Sequence, residues 1–147
     1  MPMLKGIQCI GFDADDTLWE NGFFYGKAVT DFLDLFDQPE VEPIEAEFVK
    51  IEEKNMETLG YGAKAMTISM IETAIAIDPH ISHQALLHII DIGKSLFEVP
   101  IKMFPGALET IEKLKTKYRV IIITKGELNE QQRKFDLSPL DKSLDYF

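Results

Sequence analysis

A chain of 147 residues has room for one ordinary domain, or for one domain that carries an insertion. Hydrophobic residues make up 46% of it, enough for a packed core rather than a disordered chain. A formal charge of −10 and a pI of about 4.7 argue against a nucleic-acid or anionic-membrane surface, since both attract Lys and Arg. A small phosphate ester held by a metal ion stays compatible with that charge.

Residues 5 to 12 read as a buried strand, with Ile7, Cys9, Ile10 and Phe12 apolar. Cys9, the single cysteine, cannot form an internal disulfide and is expected as a buried free thiol in a reducing compartment. The residues before the strand lack a signal-peptide apolar region, and no segment approaches the roughly 20 apolar residues that span a bilayer. A cytoplasmic protein without membrane partners is the expectation.

The strand runs into Gly11-Phe12-Asp13-Ala14-Asp15-Asp16-Thr17-Leu18-Trp19. In an extended segment residues two apart share a face, so Asp13 and Asp15 start on one side, beside the Thr17 hydroxyl. Two like charges that close repel unless a cation or proton lies between them, which points to Mg²⁺. A solvated acidic turn is the plainer alternative. A calcium loop of the EF-hand type fails, because its sixth and twelfth positions hold Leu18 and Phe24 in place of Gly and Glu. Asp16 is expected to turn or cap the chain, and Asn21-Gly22 is a tight-turn pair.

From about Tyr25 to Val99 the period is helical. Val29, Phe32, Leu33 and Phe36 form a first stripe, and Pro43 to Leu59 a second helix with Pro in its first turn. A third helix spans Ala63 to Ile77, with Ile68, Ile71 and Ile75 on its apolar face. Ser82 can cap a fourth that carries Leu86, Ile90 and Phe97. Four helices with short breaks suggest a small bundle. Within them His80 and His83 read as exposed histidines rather than a metal pair, and Met56, Met66 and Met70 as packing. Glu40, Glu42, Glu45 and Glu47 read as a solvated face.

Phe104-Pro105-Gly106 resets the chain. Ala107 to Tyr118 reads as a helix, Arg119 to Thr124 as a second strand, and Glu127 to Phe135 as another helix. That alternation is α/β grammar and calls for a parallel sheet. Only two core strands are evident, and a two-stranded sheet is rarely stable alone.

Asp13-x-Asp15-x-Thr17 with Leu18, behind a hydrophobic strand, resembles motif one of the haloacid dehalogenase superfamily, a group of mostly Mg²⁺-dependent phosphohydrolases. The strand Val120-Ile121-Ile122-Ile123 ending in Thr124-Lys125-Gly126 looks like its motif two. The resemblance implies an α/β fold: a partial Rossmann-like core over residues 1–20 and 101–147, and an inserted helical-bundle cap over 21–100. It implies Asp13 as nucleophile toward a phosphoryl group and Asp15 as the acid and base that serves the leaving oxygen and water. Mg²⁺ would be held by the Asp13 carboxylate and the Asp15 carbonyl, and Thr124, Lys125 and Gly126 would bind the phosphate. The substrate implied is a small phosphomonoester.

An aspartate at position 15 favours phosphoryl transfer over dehalogenation, because a halide leaves without needing a proton. The family's third and fourth motifs cannot be assigned in these residues, since Lys125 follows motif two too closely and Asp141 and Asp145 lack a preceding strand. The sequence therefore reads as the N-terminal part of a longer protein. The rival reading is a catalytically inactive fragment, or a binding or scaffold protein that keeps part of the fold. Transfer between two substrates, as in the family's mutases, is a third.

Overall fold

The computed structural model describes residues 6–36 and 41–146, and the chain divides into two units. One comprises Met1–Gly22, Pro100–Lys125 and Gln131–Phe147 and holds a parallel sheet; the other comprises Phe23–Val99 and Gly126–Glu130 and is helical. Among the described residues no helix is long and apolar enough to cross a membrane.

The sheet unit begins with β1 (Cys9–Phe12), which pairs in parallel with β2 (Arg119–Ile122). A third strand, β3 (Asp145–Tyr146), pairs in parallel with the far side of β2. Parallel strands need crossovers. Helix α5 (Ala107–Lys115) leads into β2, with Glu109 in its first turn and Lys113 and Lys115 in its last, signs that suit the helix dipole. Helix α6 (Leu128–Leu137) follows β2, and its part from Gln131 onward belongs to this unit. Val120 and Ile122 of the central strand pack with Ile111, Phe135, Leu140, Leu18 and Trp19. Phe135 stacks on Tyr146, and Lys142 closes the end of α6 by donating to the Phe135 and Ser138 carbonyls.

The helical unit contains α1 (Gly22–Leu33) from Phe23 onward, α2 (Glu42–Leu59), α3 (Ala63–Ile77) and α4 (His83–Ser95). Pro43 and the acidic Glu42 and Glu45 occupy the first turn of α2, as the missing Pro N–H and the helix dipole favour. Gly60, at φ 73°, ends it and returns its amide to the Met56 carbonyl. Ser82 caps α4 by accepting from the Ala85 amide at 3.1 Å. Helix α3 packs against both α2 and α4. Phe32, Ile44, Phe48, Met66, Met70 and Ile89 lie in the shared core.

Several local expectations change. β1 is four residues long, pairs only with β2 among the described residues, and is exposed or half-buried throughout, so Cys9 is exposed rather than a buried thiol. Asn21-Gly22 makes no hairpin turn, because α1 begins at Gly22. On α3 the buried face is Ala65, Met66, Ser69, Met70, Thr73 and Ala74, while Ile68 and Ile75 are 41% and 46% exposed. The absence of a side chain at Gly93 lets α4 approach α3 closely: a Cβ there would lie 1.9 Å from Thr67 Oγ1. In the acidic run Glu42 and Glu45 are exposed, and Glu40 lies outside the described residues.

Candidate active site

The register of β1 on β2 sets Phe12 opposite Ile122, and the Ile123 amide donates to the Phe12 carbonyl at 2.8 Å. Asp13 and Thr124 therefore leave the sheet together, at the carboxyl ends of adjacent parallel strands. Ligands of open α/β sheets collect at such ends.

Beyond Phe12 the chain coils at once. The Ala14 carbonyl accepts the amides of Thr17, Leu18 and Trp19 at 3.2, 2.8 and 3.4 Å. This turn buries Ala14, Leu18 and Trp19 and leaves Asp13 exposed. The Thr17 hydroxyl donates to Asp13 Oδ2 at 3.0 Å. Asp16 adopts a left-handed φ of 56°, and its Oδ1 accepts the Asn21 and Gly22 amides, both at 2.9 Å. It thus ties down the start of α1, the capping role expected of it. Beside Thr17 a cleft of about 280 Å³ is lined by Phe12, Leu18, Phe104, Pro105 and Thr110 among others.

Asp15 does not share Asp13's surroundings, because the strand has ended and period-two alternation no longer applies. Its carboxylate accepts Trp19 Nε1 on Oδ1 at 2.7 Å and Gln131 Nε2 on Oδ2 at 2.8 Å. Lys134 Nζ donates to Oδ1 and Oδ2 at 3.1 and 3.0 Å, and to Asn21 Oδ1 at 2.8 Å. The Tyr146 hydroxyl donates to the Gln131 carbonyl at 3.0 Å. Burial pushes that phenol's pKa well up, and the charges of Asp15 and Asp136 add to the rise, so it stays a proton donor. Gln131 and Lys134 carry little that marks them in the sequence. Their one signal is a three-residue spacing that puts two polar side chains on one face of α6, a pattern surface helices share.

Thr124 is half-buried, and its hydroxyl is 3.4 Å from the Lys125 carbonyl. Lys125 is exposed, and Gly126 has a φ of 141°, a conformation that side chains other than glycine's rarely adopt. Gly126 groups with the helical unit, Thr124 and Lys125 with the sheet unit. His80, His83 and His88 are all exposed, and Ser82 caps the helix between the first two.

Among the described residues no group of three His, Cys, Asp or Glu side chains could enclose a metal. The loop presents the exposed carboxylate of Asp13. Mg²⁺ keeps several waters and is often held by one or two carboxylates plus substrate phosphate, so that carboxylate is a donor it accepts.

No protein-family model matches the chain, and no curated protein does. Solved structures do. A haloacid dehalogenase-like family hydrolase from Xanthomonas campestris superposes with a TM-score of 0.85 at 32% identity, over 99% of this chain and 64% of its own. A HAD-hydrolase from Bacillus subtilis bound to magnesium has a TM-score of 0.61 at 18% identity, over 97% of this chain and 65% of its own. An L-2-haloacid dehalogenase from Xanthobacter autotrophicus with chloropropionic acid covalently bound has a TM-score of 0.55 at 13% identity, over 95% and 55%. The chain thus spans less than two thirds of the length of each of these structures.

Proposed function

Because the chain belongs to the haloacid dehalogenase superfamily, we propose that it is a Mg²⁺-dependent phosphohydrolase acting on a small phosphomonoester. The observation that carries this reading is the pairing of an exposed Asp13, bonded to Thr17, with Thr124 on the neighbouring parallel strand end. Two low-identity relatives with this fold, one bound to magnesium and one a dehalogenase, leave the reaction type to the residues. Asp15 favours phosphoryl transfer, since an alkoxide needs a proton to leave and a halide does not.

In the first step an Asp13 carboxylate oxygen attacks phosphorus, the bond to the leaving oxygen breaks, and the Asp15 carboxyl gives that oxygen its proton. In the second, water attacks the aspartyl-phosphate while Asp15 takes the water's proton. The bond to Asp13 then breaks and releases inorganic phosphate. Thr124 and the Lys125 and Gly126 amides would hold the phosphate oxygens. The Asp13 carboxylate and the Asp15 carbonyl would hold Mg²⁺, whose positive charge would offset the repulsion between the carboxylate and the phosphate. The helical unit would act as a cap that selects the substrate.

The test is Mg²⁺-dependent release of phosphate from an aryl phosphate by the chain, beside Asp13→Asn. Release that vanishes in the variant supports the reading; release that persists in Asp13→Asn removes Asp13 as nucleophile. The second reading is an inactive fragment or a binding protein that keeps part of the fold. It is motivated by the family's third and fourth motifs, which cannot be assigned in these residues. Absence of release together with no measurable Mg²⁺ binding by calorimetry would support it.

A further inference from the structure

The turn between α2 and α3 presents one aromatic side chain. Gly60 and Gly62 hold left-handed φ angles of 73° and 117°, and Tyr61 between them is 56% exposed. We infer that Tyr61, with Leu128, is a specificity-determining pair that receives an uncharged aromatic alcohol, the leaving group of the phosphomonoester. The inference rests on the phosphohydrolase reading, in which the Gly126 amide holds a phosphate oxygen.

The helical unit contains Gly126–Glu130 as well as the turn. Gly62 lies directly on this segment: a Cβ there would come within 3.2 Å of Glu127 Cβ and 3.4 Å of the Glu127 nitrogen. The Ala63 amide, next along, donates to Glu130 Oε2 at 2.9 Å. Tyr61 therefore stands one residue from a backbone that touches the neighbour of Gly126. Leu128, two residues past Gly126 and so within about 7 Å of it by chain reach, is 75% exposed. The carboxylates beside the pair are engaged. Glu127 Oε1 is 3.1 Å from Lys64 Nζ, its Oε2 accepts the Glu130 amide at 3.0 Å, and Glu130 is 1% exposed. What Tyr61 and Leu128 offer a substrate beside the loop is thus a ring and an isobutyl group. Such a lining favours an apolar body over a charged or polyhydroxyl one. A tyrosine ring adds stacking on a flat partner, a gain beyond the area buried.

Benzyl phosphate and glycerol 1-phosphate both release a primary alkoxide, so the chemical step is matched and only the bodies differ. With Mg²⁺ present, the chain should favour benzyl phosphate by at least about tenfold in kcat/KM. Tyr61→Ala should cut that ratio about tenfold, mostly through the KM of benzyl phosphate, and Tyr61→Phe should restore most of it. A ratio near one in wild type overturns the inference, as does a ratio that Tyr61→Ala leaves unmoved. Because a ratio cancels any loss of folded protein, it stays readable in a destabilised variant. Should neither ester release phosphate, the hydrolase reading fails, and calorimetry with benzylphosphonate and methylphosphonate decides the subsite, since neither can be hydrolysed. Benzylphosphonate binding at least about tenfold tighter, and lost in Tyr61→Ala, supports the subsite. Equal or undetectable binding of the two overturns it, as does a preference that Tyr61→Ala leaves unmoved.

Discussion

The Glu130 carboxylate sits on the first amide of α3, with Oε2 2.9 Å from the Ala63 nitrogen. Gly62, the residue before that helix, provides no side-chain cap, and a Cβ there would come within 2.9 Å of the same oxygen. A glutamate distant in sequence thus replaces a local cap and places negative charge at a helix N-terminus. The other oxygen accepts the Tyr25 hydroxyl at 2.7 Å, which helps a carboxylate that is 1% exposed to stay buried.

Glu130→Ala should therefore destabilise the protein by about 2–4 kcal/mol, since it removes the side-chain partner of a buried amide. Glu130→Gln, which keeps one acceptor, should lose about 1–2 kcal/mol. Urea titration of the three chains checks both values; equal midpoints for wild type and Glu130→Ala would show that the contact contributes nothing.

At Gly93 the close approach of α4 to α3 leaves no room for a side chain. Gly93→Ala should cost about 1–3 kcal/mol through overpacking, although alanine is the better helix former. Thr67→Ala in the same chain should recover part of the loss, because Thr67 Oγ1 is the atom the new Cβ meets first. Thermal unfolding of the single and double variants tests this. Additive losses would place the clash elsewhere.

The Lys115–Asp141 pair predicts a pH window. Hydrogen bonding from Lys115, and then from Ser143, holds the Asp141 carboxyl well below its ordinary range, and the bond to Asp141 raises Lys115. A depressed carboxyl stabilises the fold above its unfolded pKa of about 3.9 and loses that contribution as pH falls through the folded value. A raised lysine contributes below about 10.4 and loses the contribution as pH rises through its folded value. Wild type should exceed Asp141→Asn by a constant margin between about pH 5 and pH 9, with the margin shrinking on either side. Salt should narrow it, since Asp141 is exposed and Lys115 half-buried. A margin that is flat down to pH 2 would remove the pair as its source.

Under the hydrolase reading Thr124 donates to phosphate oxygen as charge develops. Thr124→Val should then lower kcat by about 100-fold, and Thr124→Ser should keep most activity. Steady-state assays with Mg²⁺ present decide it, and equal rates in Thr124→Val and wild type would move the phosphate contact to another group.

What the sequence disclosed and what it hid divide by range. Helix α3 runs from Ala63 to Ile77 as its period indicates, and Ser82 caps α4, because both depend on neighbours a few residues away. Of the three isoleucines that its period sets on one face of α3, Ile71 is half-buried and Ile68 and Ile75 are exposed. Isoleucines are the more hydrophobic residues, but the face that admits two helices is set by size, and Ala, Ser and Thr are smaller. β3 leaves no mark in the sequence, because only Asp145 and Tyr146 form it, too few to show alternation. Thr17 meets Asp13 as spacing suggested, being four residues away. Trp19 meets Asp15 from four residues away, but Gln131 and Lys134 lie 116 and 119 residues along the chain, a separation that no local pattern encodes.

Cys9 lies exposed on β1, in register with Arg119, and it is the one thiol of the chain. A chain with a single thiol can be linked through a disulfide to one other and no more. Under an oxidant it should therefore yield a disulfide-joined pair of chains that terminates growth, giving two bands on a non-reducing gel and one after reduction.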